Sequence, residues 1–449
     1  MGVNDFTQGS EWRQILRFAL PMMLGNLFMQ LYQLVDTVIV GQFIGTEALA
    51  AVGASTPVIF MTTALVTGIG IGASVVISQY FGAKKIENIQ KTSDTLFVFL
   101  LAIGVVVSIA GYLFSDDILR LMRLPQESLP QGTDYLQIYL GGSILLFGYN
   151  SVAAILRGLG DSKTPLYFLI IASVLNIILD LLFILVFDWG VKGAAWATII
   201  AQGLSFVLSI WWVNRHNTLL KIDLFRLKFD RYIFGQCIRL GLPTGIQQVC
   251  VAVGMMALMG IVNQFGFKIT ASYTTAQRID SLIALPVMNF AAALTSFVGQ
   301  NMGAGNLTRI KRGLKATLLM TIITCLVINT FIIIFGENIM TLFTQDSSVV
   351  KIGAECLVVL NSFYIIFGIM FVLNGMLRGA GATIFPMLTT LVALWFIRVP
   401  SAAYLSAEFG YYGIWWSYPI GWTVGMLGSV IYYLSGRWKK SGIIKTVKQ

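Results

Sequence analysis

Residues 96–114 read LFVFLLAIGVVVSIAGYLF, without one charged side chain. As a helix, at about 1.5 Å per residue, the stretch is about 28 Å long, close to the ~30 Å hydrocarbon core of a bilayer. Residues 316–336, ATLLMTIITCLVINTFIIIFG, repeat the pattern in the second half of the chain. Outward from these two runs, stretches of spanning length recur from end to end. Twelve helices are expected, at 14–43, 52–80, 94–114, 133–156, 165–187, 193–213, 236–264, 271–299, 315–336, 352–376, 384–406 and 412–435. The chain is 449 residues long, 57% apolar and 11% charged, where soluble domains carry about 25% charged residues. The fold class is therefore an all-α polytopic membrane protein, with lipid as the solvent for its apolar surface.

Lys and Arg set the orientation. With the N-terminus inside, 23 of the 30 basic residues fall on the cytoplasmic side and five outside, while Arg278 and Arg398 lie within spans. Both termini are expected in the cytoplasm, in the cell (cytoplasmic) membrane. The net charge of +10 is explained by these loops, so no nucleic-acid partner is expected. The four cysteines, Cys237, Cys250, Cys325 and Cys356, lie in or beside apolar stretches and read as small buried hydrophobes. No cleavable signal stands out at the N-terminus.

The chain repeats itself. Arg157-Gly158-Leu159-Gly160 and Arg378-Gly379-Ala380-Gly381 are 221 residues apart, and Pro165 and Pro386 follow at the same offset. Gln79 and Gln300, and Gly82 and Gly303, keep it too. Leu20-Pro21 matches Leu242-Pro243, and Gly193…Trp196 matches Gly413…Trp416, within a residue of that spacing. Two six-helix halves result: an N-lobe over 1–213, a cytoplasmic connector over 214–234, and a C-lobe over 235–449. An even number of helices in each half makes the repeats parallel, and solute sites in such folds lie at repeat interfaces.

Charge inside a span costs roughly 2.5–3.5 kcal/mol at a helix centre and needs a reason. Asp36 lies in the first span. Asn176 and Asp180, four residues apart, share one face of the fifth, and Thr198 lies in the sixth. By helical rise, Asp36 is about 12 Å, Asp180 about 10 Å and Thr198 about 8 Å from the outer ends of their spans. Two carboxylates, an amide and a hydroxyl at one level suit a proton or Na⁺; a structural hydrogen-bond network is the alternative. At the repeat offset these positions become Leu258, Ile397 and Ser401, so the C-terminal half lacks the carboxylates. Met29, Tyr32, Gln33 and Asp36 share one broad helix face, an apolar wall beside a carboxylate that suits a lipophilic cation. With Asn150 of the fourth span they form the expected substrate-binding set. Arg278 and Asp280 open the eighth helix and face different ways, which reads as snorkelling or as pairing with other helices.

These residues give the chain a resemblance to the multidrug and toxic compound extrusion (MATE) transporters over nearly its whole length. It rests on Leu20-Pro21 with Asp36, on Gln79-Tyr80-Phe81-Gly82-Ala83, on Arg157-Gly158-x-Gly160-Asp161-x-x-x-Pro165, and on Asn176…Asp180 with Thr198. The resemblance implies two lobes around a central cleft, alternating access, and export of drugs or toxins in exchange for inward H⁺ or Na⁺. It also implies a coupling-ion site at Asp36, Asn176, Asp180 and Thr198, which would be the Na⁺ ligands if Na⁺ is used. A helix-seven glutamate of the NorM-like branch is Val251 here, so the DinF-like branch fits better. A lipid-linked saccharide flippase of the same superfamily is the alternative, but its cavity should be cationic. No enzyme is expected: there is one loop histidine, His216, and no nucleophile–base pair or metal-ligand cluster. The expected protein is a monomer with no cofactor besides its coupling ion.

The charge split is directly testable. In a cysteine-free background, single cysteines at Asn217 and Lys445 should resist membrane-impermeant thiol reagents applied to intact cells. Labelling of either would reverse the orientation.

Overall fold

The computed structural model describes residues 4–444; Lys445, the labelling position named above, lies outside them. The N-terminal half contains α1 (Glu11–Phe43), α2 (Thr46–Gly82), α3 (Ile86–Leu121), α4 (Leu129–Gly141), α5 (Ser143–Gly158), α6 (Lys163–Leu181) and α7 (Gly190–His216). The C-terminal half contains α8 (Arg231–Asn263), α9 (Phe267–Ile283), α10 (Leu285–Gly303), α11 (Leu307–Thr341), α12 (Ser347–Ser362), α13 (Tyr364–Gly379), α14 (Ile384–Leu391), α15 (Val399–Phe409) and α16 (Tyr412–Leu434). Backbone N–H and C=O groups have no partner in hydrocarbon, so helices are the natural solution for a single chain of this composition.

Three of the twelve expected spans are bent pairs: α4 with α5 at 47°, α9 with α10 at 41°, and α12 with α13 at 52°. The breaks fall at Gly142, at Ala284 just before Pro286, and at Phe363. Glycine and proline account for the first two, through backbone freedom and a missing N–H. The fifth and eleventh spans carry π-helical turns, Leu182–Val186 after α6 and Val392–Arg398 between α14 and α15. Eight further helical stretches are each long and apolar enough to cross a bilayer. The twelfth span, α16, is rich in Trp, Tyr and Gly.

The repeated Arg-Gly-x-Gly segments end α5 and α13. Gly160 (φ +81°) and Gly381 (φ +91°) take the left-handed conformation that terminates a helix. The backbone N–H groups of Asp161 and Ala382 then reach back to Leu156 and Leu377 carbonyls at 2.8 and 2.9 Å. The Asp161 side chain starts α6 by accepting from the Lys163 and Thr164 backbone N–H groups, each at 3.0 Å.

The compact units are not cut where the sequence halves are. One unit holds Asn4 and Leu24–Gly245; the other holds Asp5–Met23 and the chain from Ile246 onward. The opening helix of each half thus begins in the unit formed mostly by the other half. The change of unit follows Pro21 in α1 and Pro243 in α8 by two residues in each case. Within the first unit, the connector is tied to α3 by paired bonds between Gln90 and the Lys221 backbone, at 2.8 and 3.1 Å. Tyr80 donates to Gln236 at 2.8 Å. Within the second unit, Arg309 holds the N-terminal segment through the Phe6 and Gln8 carbonyls (2.8 and 2.6 Å) and Gln14 Oε1 (2.9 Å). It also pairs with Glu11 at 3.3 Å.

In the first unit α2 and α8 touch backbone to backbone. A Cβ on Gly72 would lie 2.4 Å from Gly241 N, and one on Gly68 would lie 2.3 Å from Gly245 Cα. This is the small-xxx-small packing of membrane helices on both partners, where glycine permits close van der Waals contact. Gly72→Val should therefore destabilise by about 1–3 kcal/mol, the usual range for overpacking. Gly53→Val, whose Cβ would meet nothing within 4 Å, is the control. Thermal melting of the detergent-purified variants reads the difference; equal melting temperatures would refute the close contact.

Candidate functional site

The polar cluster of the first unit stands on a core of Ile39, Val40, Tyr135, Val191, Ala194 and Ala195 from α1, α4 and α7. Asn176 and Asp180 project from one face of α6. Both are buried, as is Thr198 of α7. Orienting the Asn176 amide by its surroundings places its nitrogen 2.8 Å from Asp180 Oδ2. Its oxygen then accepts from the Thr198 backbone N–H at 3.0 Å and faces the Thr198 hydroxyl at 3.2 Å. In this orientation the nitrogen faces an acceptor and the oxygen faces donors. The Thr198 hydroxyl also reaches the Ala194 carbonyl at 3.1 Å. Asn176 thus bridges α6 and α7 while fixing one oxygen of Asp180.

Asp36 comes to the same place from α1. Its carboxyl group is a hydrogen-bonding neighbour of the Asp180 carboxyl, so the pair can share one proton. Among the described residues Asp36 Oδ1 and Asp180 Oδ1 are buried and have no hydrogen-bond partner. Immediately after Asp180 the helix widens into the π-helical turn Leu182–Val186, where Phe187 N–H reaches Leu182 O at 3.1 Å. Such turns recur at functional sites because they re-aim side chains.

Of the expected residues, Asp36, Asn176, Asp180, Thr198 and Tyr32 are brought together; Tyr32 faces both Asp36 and Thr198. Met29 and Gln33 lie on exposed parts of α1, Met29 at 40% exposure. Asn150 turns to its own helix, donating to the Leu146 carbonyl at 2.9 Å. Two residues of the site are absent from the sequence reading. Tyr135 and Tyr139, one turn apart on α4, are stacked with centroids 6.1 Å apart and face Asp36. Their i,i+4 spacing was visible, but packing tyrosines show the same spacing.

In the second unit, Cys325 and Cys356 are buried, as is Cys237 in the first; Cys250 is half-buried, and none is in a disulfide. Arg278 is exposed, while Arg398 is buried and Asp280 Oδ1 is shielded from solvent.

The bridging role of Asn176 predicts a stability effect. Asn176→Leu leaves Asp180 Oδ2 without its donor and the Thr198 N–H without its side-chain acceptor. A loss of about 1–3 kcal/mol should follow, the cost of stranding buried polar groups. Thr198→Val, which keeps the backbone N–H, should cost less. A melting temperature for Asn176→Leu equal to that of the unsubstituted protein would refute the bridge.

The MatE family model matches the chain twice, over residues 21–182 and 243–404. The second match begins 222 positions after the first, at Pro243 after Pro21, which restates the internal repeat. A probable multidrug resistance protein of Bacillus subtilis, YpnP, is 34% identical, the alignment covering 98% of each chain. A second from that organism, YoeA, is 30% identical over 98% of this chain and 96% of its own. Among solved structures, an outward-facing conformation of a multidrug resistance MATE transporter superposes with a TM-score of 0.90 at 27% identity, covering 98% of both chains. Twelve spans in two six-helix repeats, a polar cluster inside one of them and a family match in each half converge: the chain belongs to the MATE family, a family of membrane transporters rather than enzymes.

Proposed function

We propose that the protein is a secondary antiporter of the cell membrane that exports small lipophilic or cationic organic compounds in exchange for inward H⁺. The observation that carries this reading is the carboxyl pair Asp36–Asp180, buried in the spans with one oxygen of each lacking a partner. The relatives are named as multidrug resistance and multidrug export proteins, which supports drugs as the cargo. The negative character of the cluster argues for cations over a pyrophosphate-linked saccharide, so a flippase role is not favoured.

The hydrogen bonds favour H⁺ over Na⁺. A hard cation requires a shell of several oxygens. Asn176 Oδ1 already accepts from Thr198 N–H, and the Thr198 hydroxyl is engaged at Ala194. Asp36 Oδ1 and Asp180 Oδ1 are the buried carboxylate oxygens left without a partner. A single proton between them needs no further ligand and relieves the repulsion between two charges in a low-dielectric site. Protonation from outside would remove one of the two negative charges of the cluster, alter the packing of α1 against α6 and α7, and release the substrate. The lobes at 1–213 and 235–449, with 214–234 between them, would supply the alternating access.

Asp36→Asn should retain the fold and lose gradient-driven export of a probe cation from proteoliposomes. Imposing pH and Na⁺ gradients separately identifies the ion; export driven by Na⁺ at zero pH gradient would overturn proton coupling. If one H⁺ exchanges for one monovalent cation, no net charge moves. The membrane potential, about 2.3 kcal/mol per charge per 100 mV, then contributes nothing. Efflux at fixed pH gradient should be flat across potentials clamped with a K⁺ ionophore, and a steep voltage dependence would exclude the one-for-one scheme.

A further inference from the structure

Among the described residues, the most exposed large apolar side chain is not in a span. It is Phe225 of the connector, fully exposed at 100%. The segment around it reads Leu224-Phe225-Arg226-Leu227-Lys228-Phe229, and Leu224 and Phe229 are exposed beside it. Apolar side chains that face water forgo the transfer free energy that burial would give, so a cluster of three at a loop tip needs a reason.

The loop is pinned on both sides of this tip. The Ile222 N–H donates to Asn214 Oδ1 at 2.7 Å, and the Asn214 amide donates back to the Ile222 carbonyl at 2.8 Å. Asn214 lies in the last turn of α7. Further on, the Asp230 N–H donates to the Thr95 hydroxyl oxygen at 3.0 Å, and Thr95 immediately precedes the uncharged run 96–114. Between the two tethers Asp223 closes a turn. Its Oδ1 accepts from the Phe225 N–H at 3.0 Å and its carbonyl accepts from the Arg226 N–H at 3.1 Å. A chain covers at most ~3.6 Å per residue, so Phe225 stays within about 11 Å of Ile222. Both tethers sit at the ends of spans, which keeps the tip within reach of the headgroup layer on that side of the bilayer.

The surroundings have the composition of a membrane interface. Trp211 and Trp212 are exposed near the end of α7, with the Arg215 guanidinium 5.7 Å from the Trp211 ring centroid, and Tyr232 is exposed at the start of α8. Trp and Tyr concentrate at headgroup level. Lys221, Arg226, Lys228 and Arg231 are exposed around the tip, and among the described residues only Arg226 forms an ion pair, at 3.8 Å from Asp223. The acids of the segment are used within it: Asp223 holds the turn, and Asp230 accepts from the Tyr232 and Ile233 N–H groups at 2.9 and 3.0 Å to start α8. We infer that the connector is an interfacial anchor. Leu224 and Phe225 dip into the leaflet on the connector's side, and Arg226 and Lys228 remain at its surface to bind anionic lipid headgroups. The tethers and the continuity with the Trp and Tyr belt favour lipid over a soluble protein as the occupant. The inference concerns lipid contact alone and does not depend on the antiport reading.

The test puts a nitroxide at Leu224→Cys, with Phe225 retained, in a cysteine-free full-length protein in lipid nanodiscs, where both membrane faces meet solvent. Collisions with O₂, which concentrates in hydrocarbon, and with a neutral water-soluble nickel chelate report its depth. In nanodiscs containing phosphatidylglycerol the label should meet nickel severalfold less, and O₂ more, than a label at Lys85→Cys, an exposed residue between α2 and α3. Phe225→Ser should raise nickel access at the Leu224→Cys label severalfold without changing the melting temperature, because Phe225 packs against nothing in the protein. Nickel access should also rise in nanodiscs of phosphatidylcholine alone, and when Arg226→Gln and Lys228→Gln are combined. If the labels at the two sites were equally open to nickel in anionic nanodiscs, the anchor would be overturned and the tip left as a surface for a soluble protein. Protection that survives Phe225→Ser, or that is the same in both lipids, would overturn it as well.

Discussion

Hydrocarbon offers no hydrogen-bond partners, and the rest of this structure follows from that constraint. Backbone groups must be paired inside the chain, so the spans are built of helices, three of them bent at a short break. Serines and threonines within the helices turn back to their own backbone, as Ser55 does to Ala51, Ser151 to Phe147 and Thr317 to Gly313. Against these paired hydroxyls, a buried charged atom with nothing to bond becomes informative. The unpartnered carboxylate atoms of the first unit cluster at Asp36 and Asp180, and the unpartnered charges of the second at Asp280 and Arg398.

The same constraint explains how much was legible in the sequence. Span positions were readable because spanning length and charge exclusion are one-dimensional properties, and the bends were not. Gly142 and Pro286 mark two of them, but Gly and Pro also sit in helices that run on, as Pro57 does in α2 and Pro419 in α16. Whether such a residue breaks a helix depends on the neighbours that pack against it. The division of α1 and α8 between units was likewise hidden: Pro21 and Pro243 were seen as landmarks of the repeat, but which unit each helix start packs into is a long-range fact.

The candidate site was legible in part for the same reason. Intramembrane charge singled out Asp36 and Asp180, and i,i+4 spacing tied Asn176 to Asp180. Tyr135 and Tyr139 carried no comparable mark, because an aromatic residue in a span is not costly and needs no partner to justify it. The amide of Asn150 illustrates the converse. Being polar in a span drew it into the expected set, and one of its amide N–H groups donates to the Leu146 carbonyl of its own helix. Polarity in a membrane span signals that a partner exists; it does not say whether the partner is a ligand or the preceding turn.

The two halves share an ancestral helix plan but differ in charge. In the first unit both carboxyl groups have the same sign, so the cluster is incomplete without something positive, and a proton is the smallest such thing. In the second unit the repeat partners of Asp36 and Asp180 are uncharged, and the buried Arg398 is a fixed positive charge. On the proposed reading, only the first unit changes its charge during a transport cycle, and only there does a proton gradient do work. The leucine at 258 and the serine at 401, where the repeat would place Asp36 and Asp180, are then what keeps the coupling to one site: a second exchangeable carboxyl pair would bind a second proton and make export of a monovalent cation move net charge across the membrane.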